Sequence, residues 1–225
     1  MPRIARIIAA GHPHHITQRG NNRATVYFDD EDRQTYLHLL LKYTRTYDVA
    51  IWAYCLMGNH LHLLAVPETD TGLARGIGMT NMLYTQYLNR KRNQSGRVWQ
   101  NRFFSCVVEN NNWLWAVARY IERNPVKAGI AASAVAYRWS SAAAHVAGAD
   151  DLVLSEKSWL TPDERSGYAE YLQREAKEVD GAIRCATMTG RPFASEQFID
   201  QMALSLNQSL RPRAPGRPRK TGKRP

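Results

Sequence analysis

The sequence lacks any apolar run long enough to span a bilayer, and its N-terminus has no signal-peptide apolar core. Both absences point to a cytoplasmic protein and away from membrane or exported classes. Cysteine is scarce. Cys55, Cys106 and Cys185 lie far apart with no Cys-x-x-Cys pair, which argues against a thiolate zinc site or a disulfide framework and suits a reducing compartment. Acidic residues are missing from the C-terminal end, where seven Lys or Arg follow one another from Arg211 onward. That segment holds most of the formal net charge of +10, so an anionic partner such as nucleic acid is the natural inference. What is present is ordinary. At 225 residues and 44% hydrophobic content, the chain is long enough for one well-cored unit and an extension.

Taken in order, His14 to Arg19 reads as a short first strand, with His12, His14 and His15 as its polar start rather than a metal cluster. Gly20-Asn21-Asn22-Arg23 is a loop whose amide and guanidinium groups suit base edges, although the same residues make ordinary turns. Asp29 or Asp30 caps a first helix with Leu37, Leu40, Leu41 and Thr44 inward. A second helix spans about 71–92, with Leu73, Ile77, Leu83, Tyr84, Tyr87 and Leu88 spaced for burial and a basic end at 89–92 suited to the helix pole or to phosphates. Residues 98–108 read as a fourth strand. Thr161-Pro162 and Ser195 mark later helix starts, and a turn at Thr189-Gly190 permits a helix-turn-helix. The element order β-α-β-β-α-β is the ferredoxin-like arrangement: an α+β fold with an antiparallel sheet, helices on one face, a helical C-terminal extension and a disordered basic tail. The expected divisions are 1–145, 146–210 and 211–225.

Two stretches carry the chemistry. Val49 to Leu56 and His60 to Val66 are apolar, β-prone runs joined by Gly58-Asn59, which reads as a hairpin whose glycine takes a positive φ. Alternation sends Leu61 and Leu63 to one face and His60 and His62 to the other, two imidazoles side by side on a stiff strand. Such a pair suits a divalent ion, although two half-exposed histidines on a sheet face is the plain alternative. Downstream, Leu114, Val117, Ala118 and Ile121 have amphipathic helix spacing, and Tyr120 and Asn124 share a face beside that stripe. Pro125 ends the helix at Asn124.

His60-Leu61-His62 resembles the HUH motif of single-tyrosine transposases, and Tyr120-Ile121-Glu122-Arg123-Asn124-Pro125-Val126 resembles the nucleophile helix of their REP-associated branch, the REP-associated tyrosine transposases. Gly11 to Arg23 and Gly96 to Phe103 support the likeness, which runs in order over roughly residues 10–145 of an insertion-sequence-200-like transposase. The wider superfamily often has Gln where this chain has Asn124.

The resemblance implies a ferredoxin-like fold and cleavage of single-stranded DNA, with Tyr120 as nucleophile, a 5′-phosphotyrosyl intermediate and a free 3′-OH. It implies Mg²⁺ or Mn²⁺ held by His60, His62 and Asn124, and hairpin-forming REP-type repeats as substrate. Arg19, Asn21, Asn22 and Arg23 are the candidates for reading bases and Arg102 for a phosphate. Trp99 and Phe103 suit either base stacking or the core. Arg217, Arg219 and Lys220 sit in an AT-hook-like Pro-Gly-Arg-Pro-Arg-Lys segment. The expected setting is the cytoplasmic nucleoid, as monomer or homodimer. Competing readings are a non-catalytic DNA-binding regulator on the same scaffold, a replication initiator or relaxase, and a phosphodiesterase using water.

Overall fold

The computed structural model describes residues 6–110, 112–156 and 159–211. Arg217, Arg219 and Lys220 therefore lie outside the described residues. Four strands, β1 (His14–Arg19), β2 (Val49–Leu56), β3 (His60–Pro67) and β4 (Phe104–Val107), form one antiparallel sheet in the order β2-β3-β1-β4. The helices α1 (Asp30–Thr46) and α2 (Gly72–Lys91) complete the ferredoxin-like unit.

The capping chemistry explains where α1 starts. Asp29 accepts the backbone N–H of Asp32 at 2.9 Å, and three acids occupy the first turn at the positive pole of the helix. Its buried stripe is Asp32, Tyr36, Leu40 and Thr44, with Leu37 only partly covered. In α2 the inward stripe is Leu73, Ile77, Tyr84 and Leu88. These side chains meet Leu61, Leu63, Ala65, Ile16 and Ile51 to form the first core. Trp99 and Phe103 are buried in the same core, so neither offers a base-stacking surface. The basic end of α2 is also committed. Lys91 lies 2.8 to 2.9 Å from carboxylates of Asp29, Glu31 and Asp32, and the Arg92 guanidinium covers Phe28.

The opposite face of the sheet is covered by α3 (Asn112–Glu122), α5 (Ala142–Ala147), α6 (Arg165–Gln173) and α7 (Lys177–Thr189). Leu114, Val117, Ala118 and Ile121 of α3 pack on Ala53, Cys55, Leu64 and Cys106, the stripe expected from spacing. A second helix layer thus lies across the sheet from the pair inside the βαββαβ unit. Glu122 anchors α3 there: its fully buried carboxylate accepts from the Tyr168 hydroxyl at 2.8 Å, the His145 ring at 2.6 Å and the Ser141 hydroxyl. A buried carboxylate persists only with such partners.

Several local expectations need correction. Strand β4 covers four residues, because Trp99 makes only an isolated bridge to Gly20 and, after Gln100 donates to the Arg19 carbonyl, the backbone from 101 to 103 turns away. The hairpin turn does not use positive φ at Gly58 or Asn59. Instead it docks on other loops: the Gly58 carbonyl accepts from Val26 and Tyr27, and the Asn59 carbonyl from Gly20. Gly20 permits this, since a Cβ there would strike the Ala24 carbonyl and the Val26 side chain. Helix α3 stops at Glu122, two residues short of the expected end, and Asn124 instead opens a further short turn, α4 (Asn124–Lys127), with Pro125 in its first turn. Finally, α7 packs on β4 and α3, whereas α8 (Glu196–Ser205), capped by Ser195, buries Met202 against Ile7, Ala9 and Val107. The two helices serve different cores and do not form a helix-turn-helix pair.

Candidate metal and nucleophile site

Register builds the site. On neighbouring strands Thr17 stands opposite His62 and Arg19 opposite His60, so these four side chains and His15 share one face. Leu61 and Leu63 point into the first core as alternation requires. Helix α3 crosses above this face and brings Tyr120 down onto it. The Tyr120 ring stands edge-on to His62 at 5.4 Å and to His15 at 5.5 Å between centroids. His60 and His62 lie 5.2 Å apart, ring centre to ring centre. A cavity of about 490 Å³ opens between them, lined also by Asn124 and Lys127 and, from α7, by Lys177, Asp180 and Arg184.

The imidazoles are held neutral. Burial, with a smaller push from Arg19, lowers the His60 pKa to about 4. Burial, with His15 and His60 close by, takes His62 well below the usual histidine value. Neutral rings have lone pairs for a cation. The His60 Nδ1 lies 2.7 Å from the Asn59 side-chain oxygen, an acceptor, so its proton sits there and Nε2 is bare. The Asn124 amide nitrogen donates to the carbonyls of Tyr120 at 2.7 Å and Ile121 at 3.3 Å, which leaves its oxygen for a cation. These donors fit a divalent ion with mixed nitrogen and oxygen ligation. Among the described residues there is no cluster of three or more His, Cys, Asp or Glu arranged for a metal.

Burial raises the Tyr120 phenol above its ordinary value, and Asp180 adds to this, while Arg184 and Arg19 oppose it. Lys127 lies over the ring at 4.7 Å, but its ammonium is paired with Asp180 at 2.7 Å. The site therefore favours a protonated phenol until more positive charge arrives.

Of the residues singled out from sequence, Tyr120, His60, His62, Asn124 and Arg19 line one cavity. Asn21, Asn22 and Arg23 form a 3₁₀ turn after Gly20, with Asn22 and Arg23 exposed and at positive φ. Arg102 lies apart, in a groove with Arg97, Trp99 and Asn101. The sequence reading missed His15, set aside as a strand end, and the α7 side chains. Alternation along β1 placed His15, Thr17 and Arg19 on one face, but no local signal named the strand beside them.

His14 and His15 carry an acid-stability prediction. His14 donates from Nδ1 to the His12 carbonyl at 2.8 Å and accepts the Ala9 N–H at Nε2, so it must be neutral when folded. Burial lowers its pKa from 6.5 to about 4 and that of His15 from 6.5 to about 3. The unfolded chain binds these protons near pH 6.5 and the folded chain refuses them. Their stabilisation is thus complete above 6.5 and is lost as pH falls towards 4. Near pH 5 the two groups together should cost about 2.7 kcal/mol per pH unit. Urea melts between pH 7 and 4.5 check this, and a flat midpoint would contradict it.

Residues 10–124, half of the chain, match the family described as Transposase IS200 like. A protein of Haemophilus influenzae named as a REP-associated tyrosine transposase is 31% identical over 87 residues, which cover 34% of this chain and 49% of that protein. The chain thus spans about half the length of this curated relative. A solved structure of a REP-associated tyrosine transposase bound to a REP hairpin matches with a TM-score of 0.58 at 21% identity, over 70% of this chain and 93% of that one. At that identity the likeness speaks for the fold alone. With the HUH pair on β3, the tyrosine on α3 and the family match through both, the chain belongs to the IS200-like transposase family.

Proposed function

We propose that this chain is a metal-dependent single-strand DNA endonuclease and strand transferase acting on REP-type hairpins through Tyr120. The observation that carries the reading is the meeting of the Tyr120 ring with His62 above a cavity lined by both HUH histidines. His60, His62 and Asn124 would hold Mg²⁺ or Mn²⁺, which when bound supplies charge neutralisation at a non-bridging phosphate oxygen. The chain's own residues do the rest. Tyr120 Oη forms the bond to phosphorus, the bond from phosphorus to O3′ breaks, and O3′ takes a proton to become a free 3′-OH. The phenolic proton leaves to solvent through the cavity mouth, helped by the guanidinium groups of Arg19 and Arg184. One phosphodiester is exchanged for another, so a second 3′-OH reverses the step without a nucleotide cofactor.

Arg19 and the turn of Asn21, Asn22 and Arg23 would follow the strand as it leaves the cavity, and Arg102 would meet a more distant phosphate. Tyr120 and both histidines come from one chain, which supports an active site complete in a monomer. Among the described residues no helix is long and apolar enough to cross a membrane. The proposed workplace is nucleoid DNA in the cytoplasm. The test is incubation of the full chain with labelled REP-type single strands and Mn²⁺. A covalent adduct surviving denaturation is expected. Cleavage without any adduct would favour a hydrolytic phosphodiesterase, and binding without cleavage a regulator.

The basic tail should add affinity only. Arg211 is already paired with Glu196 at 3.0 Å and Asp200 at 2.8 Å, which leaves six Lys or Arg beyond it. Truncation after Arg211 should flatten the slope of log K against log salt by up to about 4 for single strands. Binding titrations from low to high salt measure this. An unchanged slope would make the tail a passive solubiliser.

A further inference from the structure

The hydrogen bonds behind His62 specify which of its nitrogens is bare. The Thr187 hydroxyl has one proton, and it is committed to the Ile183 carbonyl of its own helix at 2.8 Å. Its oxygen can therefore only accept from the two groups aimed at it, His15 Nδ1 at 2.6 Å and the Cys106 thiol at 3.3 Å. The His15 proton must sit on Nδ1. The groups bonded to this buried ring are a hydroxyl and an imidazole, neither an anion, so nothing supports a second proton. His15 Nε2 is then an acceptor, and His62 Nδ1, 3.0 Å away with its ring nearly parallel, must donate to it. The proton of neutral His62 is thereby fixed on Nδ1 and its Nε2 lone pair is free.

We propose that Thr187 and His15 are positioning residues that lock His62 as its Nδ1–H tautomer, so that α7 is part of the metal site. The proposal rests on the reading of His60 and His62 as metal ligands. A parallel supports it. His60 is set in the same tautomer by Asn59, its neighbour in the chain, whereas His62 receives its tautomer through His15 from a hydroxyl 172 positions beyond that histidine. Two unrelated hydrogen-bond sources thus orient both imidazoles alike. In water, neutral histidine prefers the opposite tautomer, so each ring needs such a partner to present Nε2. Without Thr187 the His15 proton is free to move to Nε2. His62 Nδ1 must then accept, and its own proton moves to Nε2, the atom needed for the cation.

The test uses the full chain labelled with ¹⁵N, free of metal, at neutral pH. Long-range ¹H–¹⁵N spectra should show both His15 and His62 protonated on Nδ1 and bare at Nε2. Thr187→Val, which keeps the side-chain shape, should shift His62 towards the Nε2–H form. It should also weaken Mn²⁺ binding, followed by electron paramagnetic resonance, by about ten- to a hundredfold. Thr187→Ser should restore both. His62 found protonated on Nε2 in the parent chain overturns the relay by itself, with no variant needed. Wild-type Mn²⁺ affinity in Thr187→Val overturns it as well. A parent chain with the stated tautomers but no Mn²⁺ at His60 and His62 overturns the function reading, and the metal role of α7 with it.

Discussion

Tyr120→Phe should bind DNA as the parent chain does and form no covalent adduct. The substitution keeps the ring that stands against His15 and His62 and the surface under Lys127. Packing of α3 is set by Leu114, Val117, Ala118 and Ile121 together with the buried Glu122 cluster, none of which is touched. Removal of the oxygen deletes the atom that would bond to phosphorus, and loss of a covalent nucleophile costs on the order of 10⁴-fold or more. The measurement is adduct yield on a denaturing gel beside equilibrium binding to the same strand. Adduct at the parent yield in Tyr120→Phe would move the nucleophile elsewhere. The pH dependence should also be informative. Because burial holds the phenol above its usual pKa without a metal, adduct formation should rise with pH, and added divalent ion should shift that rise to lower pH.

The second large effect is expected at the two HUH histidines. His60→Ala and His62→Ala should each abolish cleavage, as should excess EDTA, with activity restored to the parent chain by Mg²⁺ or Mn²⁺. Each change removes an imidazole that burial keeps neutral, and with it a nitrogen donor for the proposed cation. The two variants should differ in stability. His60 is partly covered and its Nδ1 partner is a loop asparagine, so its loss is tolerated. His62 is buried and satisfies His15, so His62→Ala leaves an orphaned ring nitrogen and a cavity, at a cost of about 1–3 kcal/mol. His62→Gln keeps a donor near that place and separates the two effects. Asn124→Ala should weaken Mn²⁺ binding less than either histidine change, because water can replace one neutral oxygen ligand. Undiminished cleavage in excess chelator would remove the metal from the mechanism.

What the sequence by itself determined is what short-range periodicity encodes. Alternation along His60 to Leu64 sends leucines and histidines to opposite faces because successive strand residues must do so. The cap at Asp29, the stripe on α3 and the starts at Thr161 and Ser195 are equally local, each decided by a few neighbouring side chains. Tyr120 was legible for the same reason, as a residue beside a regular apolar stripe with Asn124 one turn on. Turn conformations were less legible. Gly58 permits positive φ without requiring it, and long-range docking to Val26 and Tyr27 set its geometry. Lys91 reads in sequence as part of a basic helix end suited to the helix pole or to phosphates, and in the fold it is paired with three acids. The strand order decided that His15 lies against His62, since alternation specifies a face and says nothing of which strand shares it. Only tertiary packing could bring Thr187, Lys177 and Arg184 to that site. Thr187 bonds His15 on β1 and Cys106 on β4, and Lys177 and Arg184 share the cavity with residues of β1, β3 and α3, all far away along the chain, and contacts across such separations leave no period in the sequence.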